Sequence, residues 1–410
     1  MRSAAQVSAR RWLATDVPDG SQGELNISDT ASAAYSRQSR SEGGPDPQNV
    51  RPLKILFVSR AHPPVVGGIE NQNEALGGAL AKLADVTAIV NRGGKKALPY
   101  FLPWAALHAA WIASGVDVIL LGDGVAAFIG WFVKRIRPGK SVVCVVHGLD
   151  LTYRNPVYQR LWVGRFLPAL DHLIAVSRST RHIAVQHGLD GTRVSVVPNG
   201  IDVAEQPSTS TDALENSLGV TLRGRSLLVT VGRLVRRKGV AWFVEEVLPS
   251  LPDSVLYIAA GEGPDREEIE RIIKRLGLSN RALVLGRVSE DTKRAILGNA
   301  HLFIQPNIPV PGDVEGFGIA VLEAGCYGLP VVATRLEGLQ DAVEHGTNGL
   351  LVPPQDPPAM VRAIAGLLID EPERLKLAVR ARSHVEQFDW NIVAQKYLST
   401  LVSVAGAHRF

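Results

Sequence analysis

The sequence predicts an α/β protein of two Rossmann-like domains, each a parallel sheet with crossover helices, facing a cleft. Three observations carry this. The chain has 410 residues, 46% of them apolar, which is long for one hydrophobic core and sufficient for two. Short β-rich apolar runs alternate with helical patterns, the order expected of a parallel sheet. A polar stretch rich in Pro, Ser and Thr, Ile201 to Ser217, divides these runs into two sets and reads as a linker.

In chain order, residues 1–51 are rich in Ser, Ala, Gly, Arg and Asp, show no sustained periodicity, and are expected to form a disordered tail or a mis-called start. Asp16, Asp19, Glu24 and Asp29 argue against a transit peptide, and no continuous apolar run marks a signal peptide. The first domain, 52–205, holds strands beginning at Leu53, Val86, Val118, Ser141, Leu173 and Val194. The second, 206–390, holds strands beginning at Leu227, Val255, Ala282, His301 and Val331.

The formal charge is +4 without a long Lys/Arg block, which gives no nucleic-acid signal but suits an anionic substrate or membrane surface. Cys144 and Cys326 each sit in an apolar run, which excludes a zinc cluster or disulfide scaffold and suggests buried thiols in a reducing compartment. No apolar stretch reaches the length of a membrane-spanning helix. FLPWAALHAAWIA and AAFIGWFVKRIR, rich in Trp, Phe and basic ends, read either as crossover helices packed on the sheet or as a peripheral membrane contact.

Ligands of such sheets sit beyond the carboxyl ends of the strands, so the residues that follow each strand matter most. After the first strand, Gly67-Gly68 opens a helix, either as an anion-binding turn or merely as a turn. His147 ends the fourth strand and reads equally as a substrate contact or a structural histidine bonded to a carbonyl. The seventh strand is followed by GRLVRRKG, in which Arg233 and Lys238 form a guanidinium–ammonium pair suited to a diphosphate. Gly261 and Gly263 follow the eighth strand and let backbone approach a ligand. In EGFGIAVLEAGCYG, Glu315 lies in a loop and Glu323 lies in the helix that starts near Ile319. Two acceptor-only carboxylates flanking glycine-turn amides and facing an Arg/Lys loop describe a site for sugar, diphosphate and ribose in a row. A paired-carboxylate hydrolase would leave the lysine and arginine without a purpose.

In order and spacing, GRLVRRKG, AAGEGP and EGFGIAVLEA resemble the retaining GT-B glycosyltransferases of family 4, with support from VVHGLD, IAVSRSTR, VVPNGID and the late FDW. The resemblance spans about Leu53 to Tyr397. It implies a GT-B fold whose C-terminal helix, 391–410, packs on the first domain. It implies that Arg233 and Lys238 bind the donor diphosphate and stabilise the leaving group. Glu315 would contact hydroxyls of the transferred sugar, with the backbone of Phe317, Gly318 and Ile319 beside it, and Glu323 the ribose. Arg287 and Val288 fall where the family holds the nucleobase, His147 near the donor sugar, and Gly67-Gly68 near the phosphates and acceptor. The implied activity is retaining transfer from a UDP- or GDP-sugar to a lipid-linked, polysaccharide or other glycan acceptor, in the cytoplasm or at the inner face of the membrane. No cofactor and no metal are expected: the chain has no Asp-x-Asp, and an Arg/Lys clamp meets the leaving-group charge. Two alternatives are another GT-B nucleotide-sugar enzyme of epimerase type and an NAD-dependent oxidoreductase. The second lacks the third glycine of G-x-G-x-x-G after the eighth strand.

Overall fold

The computed structural model describes residues 11–14, 51–65, 67–203 and 210–407. Two wholly parallel sheets form its frame. The first contains β1 (Arg11–Ala14), β2 (Lys54–Ser59), β3 (Asp85–Val90), β4 (Val118–Leu121), β5 (Ser141–Val146), β6 (His172–Ala175) and β7 (Val194–Val196), in the order β1-β3-β2-β4-β5-β6-β7. The second contains β8 (Ser226–Val231), β9 (Val255–Ala260), β10 (Ala282–Gly286), β11 (Leu302–Gln305), β12 (Val331–Thr334) and β13 (Gly349–Val352), in the order β10-β9-β8-β11-β12-β13. In each, the order reverses about the domain's first long strand, and the crevice lies at the carboxyl ends beside it.

Both faces of each sheet are covered, which is why the strands read as continuous apolar runs. In β2, Leu56 and Val58 face a core shared with helices Gly94–Ile112 and Ala127–Ile136. Ile55 and Phe57 face the opposite core, shared with helix Gly68–Leu80. That second core is continuous with one face of the other sheet through Val229, Ile258 and Phe303. Helix Trp390–Ala407 joins it through Val393, Tyr397 and Leu401, and Ser141 Oγ donates to the Val404 carbonyl at 3.3 Å. The C-terminal helix therefore crosses to the first domain, as the resemblance implies. Its entry is pinned by two backbone bonds, Ile201 N–H to the Phe388 carbonyl at 2.8 Å and Trp390 N–H to the Ile201 carbonyl at 3.2 Å.

Three elements differ from expectation. Within the supposed tail, Arg11–Ala14 pairs with the open edge of β3, from Arg11 opposite Thr87 to Ala14 opposite Val90; the rest of 1–50 lies outside the described residues. The second half of the polar linker is a helix, Thr211–Leu218, because Leu214 is buried among apolar neighbours. The edge strand β13 escaped notice because its four residues lie among Asn, Gly and Pro. Among the described residues no helix is long and apolar enough to cross a membrane.

Candidate active site

The loops after β8, β11 and β12 meet at the carboxyl end of the second sheet. After β8 a single turn, Arg236–Lys238, ends at Gly239. Gly239 has φ 66°, and a Cβ there would stand 1.9 Å from the Pro306 carbonyl oxygen. Only glycine fits, and the close approach brings Lys238 against the loop after β11.

That loop carries Glu315, which is 8% exposed. Its Oε2 accepts from Lys238 Nζ at 2.6 Å, from Asn307 Nδ2 at 3.0 Å and from the Arg237 guanidinium. Burial pushes the Glu315 carboxyl up, but Lys238 and Arg237 prevail and hold it at about 2. Burial likewise pulls the Lys238 ammonium down, with Glu315 opposing and Arg237 adding to the fall. Arg237 also donates to Asp313 at 3.0 Å. Oε1 of Glu315 has no hydrogen-bond partner among the described residues and is not sealed from solvent. The arrangement holds an ionised carboxylate rigidly by one oxygen and leaves the other free to accept from a hydroxyl.

Arg233 is exposed on the same loop, and its side chain has no hydrogen bond or ion pair among the described residues. It is a free guanidinium close in sequence to a neutralised cluster. Glu323 stands in helix Ile319–Cys326, where Oε1 pairs with Lys293 Nζ at 3.2 Å. Glu323 and Ile319 line a cavity of about 410 Å³ between the domains, closed on the other side by Asn71, Gln72, Gly200 and Trp390. This cavity does not include Lys238 or Glu315.

The first domain meets the loop of Glu315 directly. A Cβ on Gly316 would stand 2.4 Å from the His147 carbonyl oxygen. Thr152 Oγ1 donates to the Gly312 carbonyl at 3.1 Å. The His147 ring bonds through Nε2 to the Gly122 carbonyl at 3.1 Å. A carbonyl only accepts, so Nε2 carries the proton and Nδ1 of the neutral ring is an acceptor. Asp150 Oδ2 accepts the N–H groups of His147 and Gly124, each at 3.1 Å.

The remaining expected residues are placed as follows. Phe317 buries its ring against Phe388, with centroids 5.7 Å apart, so only its backbone borders the turn that Gly318 completes before the helix. Gly261 and Gly263 pack against the carbonyls of Gly232 and Leu234, at 1.8 and 2.0 Å from where a Cβ would stand. Their small size thus serves loop-on-loop packing first. The N–H of Arg287 donates to Glu262 Oε1 at 3.2 Å, and Val288 packs against the core. Gly67 precedes helix Gly68–Leu80; a Cβ on it would overlap the Glu70 carboxylate, whereas Gly68 faces open space.

Sequence reasoning missed Arg237, Asn307, Asp313 and Glu337. Asn307 and Glu337 follow β11 and β12, so the strand-end rule applied evenly would have flagged both. Arg237 has no signal separating it from Arg236.

The residues of both domains match known family descriptions. Residues 225–370 match "Glycosyl transferases group 1" and residues 66–205 match "Glycosyltransferase Family 4". The chain is 32% identical to a D-inositol 3-phosphate glycosyltransferase of Corynebacterium urealyticum over 72% of this chain and 70% of that one. It is 27% identical to one component of the phosphatidylinositol N-acetylglucosaminyltransferase of Arabidopsis thaliana over 76% and 73%. Among solved structures it is similar to Anabaena Alr3699/HepE in complex with UDP-glucose, with a TM-score of 0.71 and 23% identity over 86% of this chain and all of that one. The fold is GT-B. The chain belongs to the group 1, family 4 glycosyltransferases and is a glycosyltransferase.

Proposed function

We propose that the chain transfers a sugar from a UDP- or GDP-sugar to a lipid-linked, polysaccharide or other glycan acceptor, with retention of anomeric configuration and without a metal. The observation that carries this is the Lys238–Glu315–Arg237 cluster, with Arg233 exposed and unpartnered on the same loop. The HepE complex with UDP-glucose favours UDP, and the two curated relatives favour a polyol phosphate or a lipid-linked acceptor.

In this reading the free oxygen of Glu315 accepts from a hydroxyl of the transferred sugar. Arg233 and Lys238 take the diphosphate, and Glu323 the ribose. As the anomeric bond breaks, charge grows on the β-phosphate, and the two cations stabilise it most in the transition state. In a front-face reaction that phosphate receives the acceptor's proton, so no separate base is needed. The coupling constant of the new anomeric proton should match an α product from an α donor, and activity should survive EDTA. A β product, or EDTA loss reversed by Mg²⁺ or Mn²⁺, would replace this reading. Screening nucleotide sugars for binding fixes the donor.

The lipid-linked acceptor draws support from one face of the first domain. Helices Gly94–Ile112 and Ala127–Ile136 lie side by side there, and residues Gln159–Phe166 pack beside the second. Tyr100, Leu107 and Trp111 recur on one helix face and are 83%, 62% and 75% exposed. The Trp131 ring lies under two guanidiniums, Arg165 at 5.2 Å and Arg135 at 5.6 Å. Residues 91–170 contain ten Lys/Arg against three Asp and no Glu, while the other residues carry 34 Lys/Arg against 37 Asp/Glu. Exposed aromatic and aliphatic side chains on one helix face, with Arg135 and Arg165 over the Trp131 ring nearby, fit an anionic bilayer at the inner side of the cell membrane. Co-sedimentation with vesicles containing phosphatidylglycerol should exceed that with phosphatidylcholine alone and fall with salt. Equal recovery with both lipids removes the membrane from the reading.

A further inference from the structure

Both main-chain polar groups of Glu315 are held by one dipeptide. Its N–H donates to the Glu337 carboxylate, and its carbonyl accepts from the Gly338 N–H at 3.1 Å. Gly338 lies so near the turn that a Cβ there would stand 2.2 Å from the Gly316 carbonyl oxygen.

Glu337 itself has φ 49°, a left-handed conformation that glycine adopts freely and glutamate does not. Among the described residues one other non-glycine shares that region, Gln355 at φ 55°, and it lies exposed on a turn. Gln355 has no side-chain hydrogen bond among the described residues. The two outliers differ in what the side chain does. At 355 it serves the solvent, whereas at 337 it reaches back into the loop that presents the site's buried carboxylate. Backbone preference alone favours glycine at 337, so the strained glutamate marks a use for its carboxyl.

We propose that Glu337 is a positioning residue, which fixes the Glu315 loop by accepting the Glu315 N–H and thereby sets how the Glu315 carboxylate meets the transferred sugar. The last step rests on the donor-site reading above; the clamp itself rests on geometry alone. The charged groups facing the Glu337 carboxyl are Glu315 and Asp313 from the loop and Arg237 from the turn after β8. Burial raises this carboxyl to about 7; the Glu315 N–H opposes the rise, the Glu315 carboxylate adds to it, and Arg237 opposes it. A carboxyl accepts an N–H in either state, and more strongly when ionised, so the clamp tightens as pH rises through about 7.

Hydrogen exchange of the donor-free full chain, read on peptides spanning 309–319, tests the clamp without substrate. Glu337→Gly should exchange roughly tenfold faster than wild type at the Glu315 amide. Glu337→Gln keeps an accepting oxygen and should remain within about threefold of wild type. Melting temperature serves as the fold control, since glycine suits this φ. Equal exchange in wild type and Glu337→Gly overturns the clamp, and so does Glu337→Gln exchanging as fast as Glu337→Gly. With a nucleotide sugar that the wild type turns over, Glu337→Gly should lose about tenfold in kcat while nucleoside diphosphate affinity holds, and Glu337→Gln should restore kcat near pH 6. An intact kcat in Glu337→Gly overturns the link to catalysis. If the wild type turns over no nucleotide sugar, the donor reading and that link fall together, and the exchange result still decides the clamp.

Discussion

Each domain buries a charged cluster at the carboxyl ends of its strands, and the two clusters are balanced in opposite ways. In the second domain, Glu315 and Asp313 meet Arg237 and Lys238, with Arg233 to spare. In the first, one cation, Arg60, pairs with Asp123 at 2.9 Å while Asp150 lies nearby. Burial pushes both Glu315 and Asp123 toward the protonated form. Two cations overcome it at Glu315, which falls to about 2. At Asp123 burial prevails over Arg60, with Asp150 adding to the rise, and the carboxyl moves up. Depth of burial is therefore not what separates the two sites; the count of nearby cations is. The second domain has a cation left over beyond its balanced cluster, and the first has a carboxyl left over.

The largest effect expected from this contrast is that of Glu315→Ala. It leaves Lys238 and Arg237 without their shared partner, and breaking such a buried pair costs about 3–5 kcal/mol. Urea unfolding should report a loss of that size, and transfer should fall at least about a hundredfold. A fully stable variant would mean that the cluster is solvated and the contrast false. Lys238→Ala comes next: kcat should drop about a hundredfold with a smaller change in donor affinity, because leaving-group charge peaks in the transition state. If KM alone rises, Lys238 is only an anchor. Glu323→Ala should weaken nucleoside diphosphate binding about ten- to hundredfold, the worth of a charge-assisted hydrogen bond. Calorimetric titration reads this, and unchanged affinity would move the ribose away from the cavity lip.

On the first-domain side, Asp150→Asn should keep turnover within about tenfold of wild type. Its Oδ2 is occupied by the amides of His147 and Gly124 and acts as a backbone cap, an arrangement that an asparagine oxygen can reproduce. Abolished turnover in a folded Asp150→Asn protein would instead promote Asp150 to a catalytic base and point to inversion. The smallest effect is on stability against pH. Glu315 is depressed when folded, so its contribution is present above its usual value of about 4.5 and is lost as pH falls toward about 2. Glu337 is raised when folded, so its contribution is present below about 4.5 and is lost as pH climbs toward about 7. Glu337→Gln should flatten the second slope and leave the first.

Much of this was legible in the chain. Apolar runs at β2, β5, β8 and β9 are continuous because both sheet faces are covered, so alternation with helices announced the class of fold. Glu315, Glu323, Arg233 and Lys238 stood out because carboxylates and cations beside glycine turns at strand ends have few structural reasons to be there. The strands Arg11–Ala14 and Gly349–Val352 did not stand out, since an edge strand of four residues has too little pattern to separate from a loop.

What the sequence by itself determined was therefore the frame and the types of groups at its rim: two parallel sheets, a basic loop after β8, and two carboxylates around a glycine turn. Only the tertiary structure decided how those groups pair. Arg237, rather than Arg233, bonds to Glu315, which leaves Arg233 free; His147 faces the Gly122 carbonyl; and Glu337, 22 residues beyond Glu315, accepts its backbone N–H. The physical reason is range. Periodicity and turn chemistry are local and survive in one dimension, whereas the pairing of a buried charge depends on which loops are brought within about 3 Å of each other. That distance is set by close approaches such as Gly239 on Pro306 and Gly316 on His147, and no spacing along the chain records them.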